Sequence, residues 1–458
     1  MMQVTVRSFC ICLALVVFFC ITTSASAAVI TVDTNSSGGL GTPGCTLLEA
    51  IHTANTDTVV EGCVQGSGAD TIIFSIDENT PITLTGNYAS EVLGYSGAPV
   101  IESDITITGN PTILETGEGS YLRVFEIDDT GVLTLNNMTI RDSRGHGIAG
   151  AVLVNGGQLK LNNCTLKDNV AEVLAVGIIP PYSYYSSAGA LYITEAGTVT
   201  IDNSIFLNNS SQDIGGAIVL ESGNLSISES TFQNNTSGQA GGVYTAGNGT
   251  VTINRSTFTG NSGAGGALYN KSCYMTIENS TFSDNTTLSA AAAILNEGST
   301  TLKNVTIADN YGPDPGIGIY NNGLLYIYNT IVSDSFSHRT TWIKLVKDDV
   351  AGIAPMESVA NLFERVGGSS WSSGCSNCII GSDPLLEVLA DNGGPTQTRA
   401  LKKNSPAIDA ADNNYCPFVL NPLRRIDQRG IKRNGICDMG AYEFRNYGSV
   451  PAILHLLQ

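Results

Sequence analysis

A unit of about 25 residues recurs through the middle of this chain. Its clearest copies are Ser204-Ile205-Phe206-Leu207-Asn208-Asn209, Ser230-Thr231-Phe232-Gln233-Asn234-Asn235, Ser256-Thr257-Phe258-Thr259-Gly260-Asn261 and Ser280-Thr281-Phe282-Ser283-Asp284-Asn285. Weaker copies centre on Ile140, Leu166, Ile307 and Val332. Successive centres lie 26, 40, 26, 26, 24, 25 and 25 residues apart. A fixed period of this size belongs to a stacked, quasi-one-dimensional protein, in which each unit buries its apolar face only against its neighbours.

Five residues before each centre stands another apolar residue, as at Ile227 and Ile253, and two before that a third, as at Leu225 and Val251. Spacing of two is strand spacing. A further apolar segment follows each Asn, for example Gly216-Ala217-Ile218-Val219. Each unit therefore holds three short strands joined by Gly, Asn, Asp and Ser turns. The connections are too short for crossover helices, so each strand must pair with its equivalent one winding later. The spacing predicts an all-β, right-handed parallel β-helix with three strands per coil. Phe206, Phe232, Phe258 and Phe282 then form a buried stack, and Asn209, Asn235, Asn261 and Asn285 an amide ladder. The interval of 40 places a projecting loop within Val170–Ser187, with Pro180 and Pro181 outside any central strand. Its tyrosines suit contact with another molecule or packing back on the coil.

Arg7, an apolar run over Phe9–Ile21 and Ala25-Ser26-Ala27 read as an export signal cleaved after Ala27. No later segment reads as a membrane span. The net charge of −19 argues against nucleic acid as a partner. Eight cysteines follow the signal. Proximity pairs Cys45 with Cys63, Cys375 with Cys378 and Cys416 with Cys437, and leaves Cys164 and Cys273 free and buried. Cys375-Ser376-Asn377-Cys378 also has the spacing of a redox motif or half a zinc site.

The two ends depart from the period. Cys45-Thr46-Leu47-Leu48-Glu49-Ala50 opens a short amphipathic helix suited to covering an exposed core. It resembles the CSLREA motif of exported bacterial proteins. Asp391-Asn392-Gly393-Gly394-Pro395-Thr396-Gln397-Thr398, Ser405-Pro406-Ala407-Ile408-Asp409, Asp427-Gln428-Arg429-Gly430 and Cys437-Asp438-Met439-Gly440-Ala441-Tyr442-Glu443 resemble the choice-of-anchor Q domain. The repeats resemble those of polymorphic outer-membrane proteins. These resemblances imply a pectin-lyase-like β-helix, exported, at a bacterial cell surface or outer membrane or released from it, and no known reaction. Phe444–Gln458 shows no sorting motif, so release is expected as readily as attachment. The expected organisation is a signal over 1–27, an N-terminal cap over 28–70, repeats over 71–335, an insertion with the last coils over 336–378, a disulfide-containing C-terminal cap domain over 379–445 and a tail over 446–458.

Two function classes remain open. One is a non-catalytic, adhesin-like monomer whose flanks meet carbohydrate or another surface protein. The alternative is a polysaccharide lyase or glycoside hydrolase acting on acidic polysaccharide. Paired Asp128 and Asp129 upstream of Gly145-His146-Gly147, with Arg429-Gly430-Ile431-Lys432 far downstream, have the order of a hydrolase site. Asp284, Asp309 and Asp334 recur at one turn position and would stack about 4.8 Å apart. Calcium would relieve their repulsion; the alternative is a solvated turn. No other cofactor is indicated, and a protective layer without a specific ligand remains a third reading.

Overall fold

Like residues pile over like along the whole rod. The computed structural model describes residues 27–37, 43–60, 62–77, 80–90, 94–173, 186–313, 317–334, 348–367, 369–416, 418–420 and 423–445. Residues 1–26 of the segment read as an export signal, the loop tyrosines at 182, 184 and 185, residues 336–347 of the expected insertion and the tail from 446 lie outside the described residues. Each coil runs through a first strand such as Gly249–Asn254, a bend, a second strand such as Thr257–Thr259, a second bend and a third strand such as Leu268–Asn270. First and second strands make a 23-stranded sheet, and third strands a nine-stranded one, each strand parallel to its equivalent one winding away. The chain is thus a right-handed parallel β-helix.

Inside, Phe206, Phe232, Phe258 and Phe282 stack face to face, with centroids 4.7, 4.6 and 4.7 Å apart and planes within 5°. The spacing is that of adjacent strands, so parallel pairing alone sets it. At the second bend the fully buried amides of Asn169, Asn209, Asn235, Asn261, Asn285 and Asn310 run along the axis. Each of the first five donates from Nδ2 to the next Oδ1 at 2.9–3.0 Å. A second amide row joins Asn270, Asn296 and Asn321 beside the third strands. Its sequence signal is the Asn that ends Leu268-Tyr269-Asn270, Ile294-Leu295-Asn296 and Ile319-Tyr320-Asn321. Cys164 and Cys273 are free and buried.

Pairing begins one winding earlier than the repeats indicate. Val29–Val32 lies parallel to Asp70–Phe74, and the chain leaves the coil between them to form the helix Leu47–Thr56. Thr46 accepts from the Glu49 N–H at 3.2 Å, and Glu49 accepts from the Thr46 N–H at 3.0 Å. This reciprocal cap fixes the helix start. Leu47, Leu48, Ala50 and Ile51 close the first coil's core, and Cys45 is bonded to Cys63. At the other end Trp371, in the short helix Ser369–Ser373, closes the last coil, edge-on to Phe363 and donating to the Gly352 carbonyl at 3.3 Å.

The C-terminal lobe, Leu386 to Arg445, lies along the flank. Leu386, Leu401 and Met439 pack on Ala308, Ile331 and Leu362. Gln428 donates to the Thr257 hydroxyl at 2.9 Å and accepts from Thr281 at 2.6 Å. Arg433, fully buried, reaches Asn279 at 3.1 Å and Glu443 at 3.2 Å. Cys416 and Cys437 are bonded inside this lobe.

Burial pushes the Asp438 carboxyl up to about 6, and pushes Glu443 up as well, despite the nearby Arg433. An acid harder to ionise in the folded state favours folding most below its unfolded value, 3.8. That contribution fades as pH rises towards about 6 and then stays flat. From Asp438 alone, acidification from pH 7 to pH 4 is expected to stabilise the docked lobe by about 2 kcal/mol. Thermal unfolding across this range checks it: the wild type should gain stability relative to Asp438→Asn on acidification from pH 7 to pH 4, and a constant difference would refute it.

Candidate functional site

The catalytic candidates are not assembled. Asp128 follows the strand Phe125–Ile127 and spends its Oδ1 on the N–H groups of Thr130 and Gly131, both at 3.0 Å, and on the Thr130 hydroxyl at 2.9 Å. It is a turn-closing carboxylate, and Asp129 sits in the same turn. His146 ends the short strand Arg144–His146, which pairs with Val170–Glu172. The whole strand Val132–Arg141 separates it from Asp128 and Asp129. Arg429 lies in the C-terminal lobe, paired with Asp427 at 2.6 Å and over the Tyr442 ring at 3.5 Å. Among the described residues, Asp128 is held in its own turn, His146 lies on a different strand and Arg429 is paired within the C-terminal lobe.

The acidic column has a backbone cause. Asp142, Asp168, Asn208, Asn234, Gly260, Asp284, Asp309 and Asp334 occupy one bend, with φ between 52° and 67° at each. Asp, Asn and Gly are the residues that adopt this left-handed conformation most easily. At Asp284 and Asp309 the partner is Arg399 of the C-terminal lobe. Its Nη2 is bonded to Asp309 and lies 3.8 Å from Asp284, while its Nε donates to the Ser283 hydroxyl at 2.8 Å. A guanidinium therefore occupies the place proposed for calcium between these two residues. The Asp334 N–H donates to Glu364 at 2.9 Å. Among the described residues no three His, Cys, Asp or Glu side chains gather as a metal site.

The lobe divides the flank in two. Over Thr257, Thr281 and Thr306 the outward face of the second strands is buried beneath it. Upstream the same face is uncovered by the lobe, with Ile205 exposed and Thr139, Thr165 and Thr231 half-buried. The first strands stay exposed for much of the rod and present hydroxyls and amides in rows. Thr252 donates to Ser226 at 3.1 Å, Ser228 to Asp202 at 2.6 Å and Asn162 to Asn136 at 2.8 Å.

Charge gathers where the open flank begins. Arg141 bridges Glu115 at 3.0 Å and Asp142 at 3.4 Å, and Arg144 meets Glu172 at 3.1 Å. Lys167 pairs in register with Arg141 one winding away, and Asp168 accepts from Asn208 at 3.0 Å. Lys160 and Lys167 come from one coil and have no ion-pair partner among the described residues. In a chain of net charge −19, Lys167 stands beside Arg141 on the second strands and Lys160 lies on the first strand of the same coil, so four basic side chains here balance the four acidic ones. Sequence reasoning passed over them because each occurs once at its repeat position. Only the stacking sets Lys167 beside Arg141.

The family model described as "Right handed beta helix region" matches residues 49–272 and 215–340. Among solved structures, the pectate lyase Pel9A superposes with a TM-score of 0.52 at 14% identity, over 92% of this chain and 97% of that chain. No curated protein matches the sequence. At such identity the likeness is one of fold.

Proposed function

The chain belongs to the right-handed β-helix family, and from that premise we propose that it is an exported, non-catalytic scaffold whose open flank binds carbohydrate at a cell surface. The observation that carries this reading is the flank itself: rows of hydroxyls and amides on the first strands, with Lys160 among them and Lys167 on the adjoining second strand, neither in an ion pair among the described residues. Such a face can meet a polyhydroxylated chain over many windings without positioning an acid and a base. Three disulfides fit an oxidising compartment. The resemblances to the CSLREA and choice-of-anchor Q domains favour a bacterial surface or outer membrane.

The test is a glycan array probed with the mature chain, beside Lys160→Glu and Lys167→Glu together. Lys160 is exposed and Lys167 half-buried, both outside the core, so the fold is expected to survive the exchange. The expected result is selective binding that weakens about tenfold in the double variant, a loss of about 1.4 kcal/mol. Binding that ignores these charges, or no glycan binding, would overturn the assignment of this face.

A lyase or hydrolase is the second reading. It is favoured by one observation: Glu115, Arg141, Asp142, Lys167 and Asp168 gather on three adjacent windings. A polysaccharide-degradation screen separates the two. Chain shortening that disappears in Lys167→Ala would establish catalysis.

A further inference from the structure

The Cys375–Cys378 bond differs from the other two disulfides in what surrounds it. Cys45, Cys63, Cys416 and Cys437 are buried, none more than 7% exposed. Cys375 and Cys378 are half-buried, and Ser376 and Asn377 between them are exposed. They close a ring with a sequence separation of 3, against 18 and 21 for the others. A short ring restrains the unfolded chain least, so this bond adds least to stability by that route.

Each sulfur also has a donor from the preceding coil. The Ser358 hydroxyl lies 2.7 Å from Cys375 Sγ and receives a hydrogen bond from Asn361 Nδ2 at 3.0 Å, which leaves its own proton for the sulfur. The Asn361 N–H donates to Cys378 Sγ at 3.3 Å. Ser358 and Asn361 are themselves buried. Donors held against sulfur favour the thiolate over the thiol, and a better-stabilised thiolate leaves faster. Asn377, inside the ring, lines a shallow cavity of about 290 Å³ shared with Ala360, Ala411, Asp412 and Ile436.

Opening the bond need not unfold the coil. Cys375–Ser376 is paired with Ser358 and Val359, and Ile379–Ile380 with Leu362 and Phe363. These ladders hold both strands without the sulfur bridge.

We propose that Cys375–Cys378 is a thiol–disulfide exchange site that reacts with small external thiols while the protein stays folded. The first external thiolate attacks one sulfur. The S–S bond breaks, a mixed disulfide forms, and the released cysteine thiolate departs against its donor before taking a proton from water. A second external thiolate then attacks the external sulfur of the mixed disulfide and expels the remaining cysteine as its thiolate, which takes a proton from water. The external disulfide leaves, and both cysteines remain as thiols, reduced by the two electrons that the external thiols supply.

The experiment is a dithiothreitol titration of the folded chain, followed by alkylation and peptide mass spectrometry, with circular dichroism at each step. Cys375 and Cys378 are expected to be alkylated at roughly tenfold lower reductant than the other two pairs, with the spectrum unchanged. Release of all three pairs together as the spectrum collapses would overturn the proposal, as would reduction of this pair last. In Ser358→Ala the pair is expected to need more reductant. An unshifted titration would remove the donor from the account.

Discussion

Replacing Phe232 by alanine is expected to destabilise the chain by about 4 kcal/mol, within the range for a buried phenylalanine. The ring is fully buried and is stacked on both faces, by Phe206 at 4.7 Å and by Phe258 at 4.6 Å. In a compact core, neighbours move in to fill part of such a space. Here they cannot follow, because their backbones are held in register by parallel pairing one strand apart. The cavity therefore persists, and two stacked contacts are lost with it. Each is worth about 1 kcal/mol beyond the area it buries. The double variant Phe232→Ala with Phe258→Ala should cost less than the sum of the singles by about 1 kcal/mol, because the shared contact is lost once. Urea denaturation of the three variants measures this. A single cost below about 1 kcal/mol would mean that the stack collapses locally and is not rigid.

The winding was legible because one period governs it. Once the centres lie 24–26 residues apart and a strand spacing of two precedes each, register follows: Phe206 must face Phe232, and Ile201 must face Ile227. Whatever broke the period was hidden. Val29–Val32 and Asp70–Phe74 are one winding apart in space, but the capping helix and its disulfide loop separate them along the chain. The recurrent Asp at the second bend read as a charge pattern, whereas φ selects it. The first bend shows how little composition betrays that requirement: Glu229 and Arg255 hold φ of 49° and 50° between windings that use Asn203 and Asn279. The docking of the C-terminal lobe was equally silent. Gln428 meets Thr257 across a separation of 171 residues, and nothing periodic links them. The same reason kept Lys160 and Lys167 out of view, since a charge that appears once in a repeat column reads as ordinary surface variation.

Exchanging Asn261 for aspartate is expected to cost about 3 kcal/mol at neutral pH, although the two side chains have nearly the same shape. Asn261 accepts from the Asn235 N–H and Nδ2 at 3.1 and 2.9 Å, and a carboxylate keeps both bonds. What it loses is donation. Nδ2 now reaches the Phe232 carbonyl at 2.9 Å and Asn285 Oδ1 at 3.0 Å. A carboxylate would bring a buried negative oxygen against those two acceptors, with no cation beside it in the ladder. Such a group has its pKa raised by burial. The penalty is then smallest below the unfolded value of about 4 and grows as pH rises through the folded value. Asn261→Ala removes the same donors without adding a charge, and its cost should stay level with pH. Urea midpoints for both variants at pH 4 and pH 7 separate the cases. Equal pH profiles would show that the row tolerates charge, and the amides would then be spacers, with the Phe stack and the strand pairing carrying the rod.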